Sequence, residues 1–320
     1  MRILNMGSLN IDKVYSVQHF AAEGETILSE QYNEYHGGKG LNQSIALARA
    51  GMQVFHAGAI GADGAGMEAM LRENGVNTDF IRHLDSPSGH ALIQVTPQGK
   101  NCIIVHGGAN SLVEAAHLDA ALQVLSAGDI FLTQNETSCV AYAMKQAKKR
   151  SLTVVFNPSP ITEALFGYPL ELVDIFILNE TEGKALSGKD DPAEILDAMH
   201  KKFPQAEIVL TIGEAGAMFI NNDMNFSRAA FNVQAEDTTA AGDTFTGYFL
   251  AGLASGKDRM QAMDYAGAAS AIAITKKGAS SSIPSRNEVE EFLRNNNCRQ
   301  NVSKTPKHQN DAKYQNGANK

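Results

Sequence analysis

Residues Ile130 to Asn157 read IFLTQNETSCVAYAMKQAKKRSLTVVFN, and the period of the apolar residues changes twice within them. Ile130–Thr133 is a short unbroken apolar run, as expected of a strand buried on both faces. Ser138–Arg150 is amphipathic at helical spacing, and Thr153–Phe156 is an apolar run again. A strand, a helix and a strand in so few residues describe a parallel crossover unit. The same alternation continues outward. Upstream lie strand candidates Arg2–Gly7 and Val54–Ala59, with helix candidates Gly40–Ala50 and Met67–Asn74. In Gly40–Ala50, Leu41, Ile45, Leu47 and Ala48 recur at roughly helical spacing. Downstream lie strands Val173–Leu178 and Ile208–Ile212, and helices Thr181–Leu186, Ala193–Phe203, Asp243–Ala254 and Arg259–Lys276. Alternating units of this kind predict an α/β fold with a mostly parallel sheet flanked by helices on both faces. Two segments break the rhythm. Glu25–Tyr35 and Gly89–His106, the second with a Pro97-Gln98-Gly99 turn, alternate polar and apolar residues and read as antiparallel strands of a small accessory β-sheet.

The chain has 320 residues, enough for one large α/β domain or two small ones. A formal charge of −8 gives no general pull toward nucleic acid or anionic lipid. No apolar stretch reaches the roughly 18 residues of a membrane helix. Met1–Asp12 lacks a basic-then-apolar leader pattern and reads as a strand running into a polar loop. Cys102, Cys139 and Cys298 are far apart, which argues against a disulfide framework or zinc site and suits a cytoplasmic location. Residues 295–320 differ from the body: ten of them are Asn or Gln, and they carry a net +4. Such a segment buries little apolar surface and is expected to be a disordered polar tail, with a docking arm for an anionic partner as the alternative.

In open α/β sheets ligands sit beyond the carboxyl ends of the strands. Here those ends deliver Asn10 and Asp12; Asn135 and Glu136; Asn157; Asn179, Glu180 and Glu182; and Thr211 with Gly213. Each alone could be a helix cap, but five together favour a polar ligand site. Glycines gather in four places. His36-Gly37-Gly38-Lys39-Gly40-Leu41-Asn42 opens a helix, where Lys39 and Asn42 could bond hydroxyls. Gly61–Gly66 has the spacing G-x-x-G-x-G, a weak echo of a dinucleotide loop. Thr211–Gly216 ends a strand and is either a tight turn or a nucleotide approach. Asp237-Thr238-Thr239-Ala240-Ala241-Gly242-Asp243-Thr244-Phe245 runs into a helix, and its small residues leave free amides for a phosphate or developing anion. Asp243 there is either a helix-start acid or a general base. No P-loop, H-E-x-x-H or G-x-S-x-G motif occurs.

Five motifs in this order resemble the ribokinase-like carbohydrate kinases over about residues 1–293: N-x-D (Asn10, Asp12), G-G-K-G-x-N (Gly37–Asn42), N-E-T-E (Asn179–Glu182), D-T-x-A-A-G-D-T-F (Asp237–Phe245), and T-K-K-G-A followed by Ser282 (Thr275–Ala279). Lys39 and the second glycine favour the ribose branch. The resemblance implies a doubly wound domain over 1–294 with a β lid from about 10–36 and 88–108, through which two subunits form a homodimer. It implies transfer of the ATP γ-phosphoryl to the 5-hydroxyl of D-ribose. Asp243 matches the general base, and Ala240, Ala241 and Gly242 match the anion hole. Asn10, Asp12, Gly38, Lys39, Asn42 and Glu136 match the sugar contacts. Asn179, Thr211, Gly213, Gly216, Gly242 and Gly267 match ATP positions. Glu182 would organise Mg2+ through water. Asp237, Thr239, Ala273, Lys276, Gly278 and Ser282 match a site for K+, mostly through carbonyls. Leu41 stands where the family commonly carries Ala and, with lid residues Ala91 and Ile93, bears on the alternatives: another pentose, deoxyribose or a nucleoside. More distant alternatives are a non-catalytic sugar-binding protein and, on Gly61–Gly66 alone, a nucleotide-dependent oxidoreductase.

Overall fold

The stretch from Ile130 to Asn157 folds as a strand, a helix and a parallel strand: β8 (Ile130–Gln134), α4 (Val140–Lys149) and β9 (Thr153–Asn157) in the computed structural model, which describes residues 1–296. Val140, Ala143, Met144 and Ala147 make one buried stripe on α4, with lysines on its outer side. Phe131 and Leu132 are both fully buried and belong to cores on opposite faces of the sheet. Successive strand side chains point to opposite faces, so an unbroken apolar run serves two cores.

Before this unit come β1 (Arg2–Met6), β2 (Asn10–Ser16), β3 (Gln31–Gly37), α1 (Lys39–Arg49), β4 (Gln53–Ile60), α2 (Ala65–Glu73), β5 (Asn77–His83), β6 (Gly89–Val95), β7 (Asn101–His106) and α3 (Ala115–Leu122). After it come β10 (Ile175–Asn179), α5 (Glu180–Ser187), α6 (Pro192–Lys202), β11 (Glu207–Thr211), β12 (Ala217–Ile220), β13 (Asn225–Arg228), α7 (Ala241–Ala254), α8 (Arg259–Ala273) and α9 (Arg286–Asn296). The main sheet has the order β13-β12-β11-β10-β9-β8-β1-β4-β5, parallel from β11 to β5 and antiparallel at β12 and β13. The chain winds from β1 outward through β4 to β5, then returns to β8 on the other side of β1. That reversal is a topological switch point, where a crevice opens at the carboxyl ends of β1 and β8. Helices α1, α7 and α8 pack on one face and α3, α4 and α6 on the other.

The second sheet has the order β3-β2-β6-β7. Its hairpins β2–β3 and β6–β7 are antiparallel as expected, but β2 and β6 run parallel. Both strands leave the main sheet from its carboxyl edge, after β1 and after β5, and so point the same way. Asn10 and Asp12 therefore lie in a strand rather than in the polar loop expected of them. The other expected strand begins at Gln31 instead of Glu25, because β2 ends at Ser16, the partner of Gln31, and earlier residues face no strand. The expected helix Arg259–Lys276 stops at Ala273, and residues beyond it turn back toward Glu236 and Asp237. At the other terminus of the body, α9 continues to Asn296, past the expected start of the tail at 295. Residues 297–320, including Cys298 and the rest of that expected tail, lie outside the described residues.

Candidate active site

Three glycines let the switch-point crevice form. A Cβ on Gly40 would strike the backbone of Gly7 and Ser8, so the start of α1 lies directly against the end of β1. Gly38, the N-cap of α1, has φ +98°, a conformation that favours glycine. A Cβ on Gly37 would meet the Asp12 carboxylate. The glycine run therefore brings Lys39 and Asn42 from α1 beside Asn10 and Asp12, which share one face of β2 by their spacing of two.

Glu136, just past β8, completes this side. It accepts from Ser8 Oγ, and its Oε1 is 4.0 Å from Lys39 Nζ. Asn110 holds Asn10 from behind: its Nδ2 donates to Asn10 Oδ1 at 2.8 Å, and its Oδ1 accepts from Leu9 N at 3.0 Å. Burial, with Glu136 and Asp243 nearby and Lys39 opposing, pushes the Asp12 carboxyl up to about 6. Burial also raises Glu136, against the pull of Lys39 and Ser8. Burial works against the Lys39 charge, yet Asp243, Glu136, Glu182 and Asp12 together hold its ammonium above the usual range. One cation among four carboxylates stays charged, and a ligand rich in hydroxyls finds both donors and acceptors there.

Asp243 lies in the first turn of α7, and Ala240 caps that helix with φ 59°. Asn42 Nδ2 donates to Asp243 Oδ2 at 3.0 Å and Gln43 Nε2 to Oδ1 at 2.9 Å. The Ala241 amide spends its proton on Thr238 O at 3.2 Å. The amides of Gly242 and Asp243 have no carbonyl a turn earlier within the helix, and they carry the positive end of its dipole. One cavity is lined by Lys39, Asn179, Thr211, Gly242 and Asp243, with Glu182 at its wall. A second, against the lid, is lined by Asn10 and Glu136 together with Asn110, Asn135 and Tyr168.

Glu182 closes a capping box with Asn179: its Oε2 accepts from Asn179 N at 2.9 Å, while Asn179 Oδ1 accepts from Glu182 N at 3.0 Å. A single carboxylate at a cavity wall suits an ion that keeps most of its water, as Mg2+ does. Among the described residues no group of three or more His, Cys, Asp or Glu side chains gathers for direct chelation. Asp237 ties two loops together. Its Oδ1 accepts from Thr239 N at 2.9 Å and from Thr239 Oγ1 at 2.6 Å, and its Oδ2 accepts from Gly278 N at 2.9 Å. Burial opposes its charge, but these donors outweigh it and hold the carboxyl below its usual range. Gly278 thus stands beside Asp237, in the loop that runs from Ala273 through Lys276 to Ser282, and the backbone carbonyls of such a loop are oxygen donors of the kind a hard cation takes.

Other expected residues stand apart. Gly213 and Gly216 form the turn after β11, and a Cβ on Gly216 would strike the backbone at Arg228–Ala230. Gly267 faces the Phe231 ring across α8. Leu41 is fully buried in the core and does not line either cavity. Ala91 is buried opposite Asp12 in the lid, and Ile93 pairs with Val14 further out. Gly61–Gly66 is a close-packed turn against Ser86–Ser88 and Ile60. Sequence reading passed over Gln43, Asn110 and Gln134. Gln43 follows Asn42 directly and Gln134 ends β8, which are usable signals; nothing local marks Asn110.

A doubly wound sheet, a β lid and a carboxylate at a helix N-terminus in the wall of a polar cavity suit a group-transfer enzyme for small polar molecules. The model of the pfkB family carbohydrate kinases matches residues 2–286, and the chain belongs to that family. It is 37% identical to a ribokinase of Haemophilus influenzae over 298 residues, 90% of this chain and 97% of the relative. The crystal structure of a Cryptococcus neoformans ribokinase in complex with ADP superposes with a TM-score of 0.81 at 34% identity, covering 91% of this chain and 99% of that one. An Arabidopsis thaliana ribokinase complexed with ribose and ATP superposes with a TM-score of 0.80 at 27% identity, over 91% and 98%.

Proposed function

We propose that the protein transfers the γ-phosphoryl group of ATP to the 5-hydroxyl of D-ribose, giving D-ribose 5-phosphate. The observation that carries this reading is Asp243, held at both oxygens beside the open amides of α7 and lining the polar cavity it shares with Lys39, Asn179 and Thr211. Asn10, Asp12, Gly38, Lys39, Asn42 and Glu136 bind the sugar and turn one hydroxyl toward Asp243. Asn179, Thr211 and the glycines at 213, 216 and 267 border the nucleotide. Asp243 accepts the hydroxyl proton late, as the oxygen commits to phosphorus. The α7 amides, at Gly242 above all, hold the charge that spreads over the transferring oxygens. Mg2+ would supply further charge neutralisation when bound with the nucleotide, and Glu182 is the residue that would hold it, through water. K+, when bound, would be held by Asp237, Thr239 and the carbonyls of Ala273, Lys276, Gly278 and Ser282, and would steady these two loops.

The lid exposes Tyr32 and Tyr35 on β3 and Ile103, Ile104 and Val105 on β7, its two edge strands. Exposed apolar side chains on both edges of the lid sheet suit packing against a second copy of the same lid, so we read the enzyme as a homodimer. Residues 1–294 act as one kinase unit. Cys102 and Cys139 are free thiols, in keeping with a cytoplasmic enzyme. No described helix is long and apolar enough to cross a membrane.

ADP release is the test, with ATP, Mg2+ and K+ offered across D-ribose, 2-deoxyribose, fructose and nucleosides. Ribose-selective turnover that drops when K+ is withheld is expected. Turnover with another substrate alone removes the ribose assignment, and no turnover with any of them removes the kinase reading.

A further inference from the structure

We propose that Gln43 is a positioning residue for Asp243, and that a buried amide relay anchored on a backbone carbonyl decides which end of Gln43 the carboxylate meets. The inference rests on Asp243 acting as the base. The relay begins at the Gly40 carbonyl, which can only accept. It takes Asn5 Nδ2 at 2.9 Å, and the same nitrogen reaches Ser44 Oγ at 2.9 Å. Asn5 must then turn Oδ1 the other way, where Gln134 Nε2 donates to it at 2.9 Å. The second Gln134 proton goes to Gln43 Oε1 at 2.7 Å. Gln43 is left with Nε2 facing outward, 2.9 Å from Asp243 Oδ1 and 3.3 Å from Asn157 Oδ1. Asn5, Gln43 and Gln134 are all essentially inaccessible to water, at 0%, 0% and 1% exposure. No solvent is present to satisfy a reversed amide. Turning Gln43 over would set an NH2 against an NH2 at Gln134 and an oxygen against the carboxylate, and each lost pairing is costly in a buried place.

Asp243 therefore receives a donor on each oxygen from consecutive residues of α1, Asn42 on one and Gln43 on the other. Neighbours in a helix seldom meet the same group, because they point about 100° apart. Here α1 and α7 lie close enough to permit it: a Cβ on Gly247 would strike Ala46. Two donors fix the carboxylate plane and so the direction in which it accepts a proton. Other charges also face Asp243: Lys39 from α1, Asp12 from β2, and Glu136 beyond β8. None of these changes when Gln43 is replaced, so a shift in the pH profile reports the lost donor.

Gln43→Met keeps the length of the side chain and removes the amide. The expected result is a fall in kcat of about tenfold, with the acid limb of the kcat profile moved to higher pH, because the ionised carboxylate has lost a donor. ADP affinity by calorimetry should stay within about threefold of the parent, since the nucleotide contacts are elsewhere. Gln134→Met touches no substrate and releases the Gln43 amide to reverse, so it should move the limb the same way by less. An unmoved limb in a folded variant, or a kcat that falls only in step with ADP binding and thermal stability, overturns the proposal. If Gln43→Met does not fold, the acid limb of Gln134→Met decides on its own: a limb moved to higher pH supports the relay, and an unmoved one overturns it. Asp243→Asn measured alongside separates the two readings: an active Asp243→Asn enzyme removes the base itself, while an inactive one beside unaltered Gln43 and Gln134 variants removes this inference alone.

Discussion

At the residue scale the site depends on which side chains keep their charge. Asp243 is useful as a base only while it is aimed, and its aim comes from donors on α1. Asp243→Asn keeps the shape and removes the proton acceptor. Its turnover should fall roughly 10²–10⁴-fold while ribose and ADP still bind, measured by single-turnover kinetics beside calorimetry. Asp12 gives a different signature. Its folded pKa of about 6 is raised mainly by burial, so it is ionised at pH 7.5 and protonated at pH 5. The protonated acid gives up acceptor capacity toward sugar hydroxyls. KM for ribose should therefore climb as pH falls through about 6, and Asp12→Asn should show a high KM that is flat across this range. A KM in the parent enzyme that ignores pH between 5 and 7.5 would remove Asp12 from the sugar contacts.

At the scale of elements, two junctions govern activity. The first is the contact of α1 with the end of β1, where Gly40 meets Gly7. Gly40→Ala forces a methyl into the backbone of Gly7 and Ser8. The expected loss is about 1–3 kcal/mol of stability from overpacking, with a drop in turnover because Lys39 and Asn42 ride on the displaced turn. Thermal melting beside kcat checks it, and a normal melting temperature with normal activity sinks the close-approach argument. The second junction is Asp237, which clips the loop before α7 to the loop after α8. Turnover should rise several-fold on adding K+ to the parent enzyme, and Asp237→Ala should lose that response. A variant that keeps the full K+ response would show that the cation binds elsewhere. Legibility in the sequence followed burial at this scale. The parallel strands of the main sheet, apart from β5 at its edge, were visible as unbroken apolar runs because both faces are covered. β5, β12, β13, α3 and α9 were missed. α9 buries only Val289 on a polar helix, and β12 and β13 are four-residue strands at the sheet edge. Elements with one small contact face carry little periodic signal.

At the scale of the molecule, the lid faces both the ligand and solvent. Its inner strand β2 carries Asn10 and Asp12, while β7 exposes Ile103, Ile104 and Val105. Ile104→Asp should convert a dimer to monomers in sedimentation velocity and raise KM for the sugar. A parent enzyme that sediments as a monomer at every concentration would overturn the clasped lid. The sequence by itself determined the alternating α/β core, the glycine runs, and which strand ends and helix start carry the polar chemistry, because these are written in local period and residue type. It also marked Asp243, since a small-residue helix start followed by an acid is a local pattern. Only the tertiary structure decided that β2 and β6 run parallel and that Leu41 belongs to the core. It alone showed that a chain of amides from Gly40 through Asn5, Gln134 and Gln43 points a donor at the base. Those facts join residues up to 200 positions apart, and pairing direction, burial and hydrogen-bond polarity are properties of what faces what across the fold, which no local spacing records.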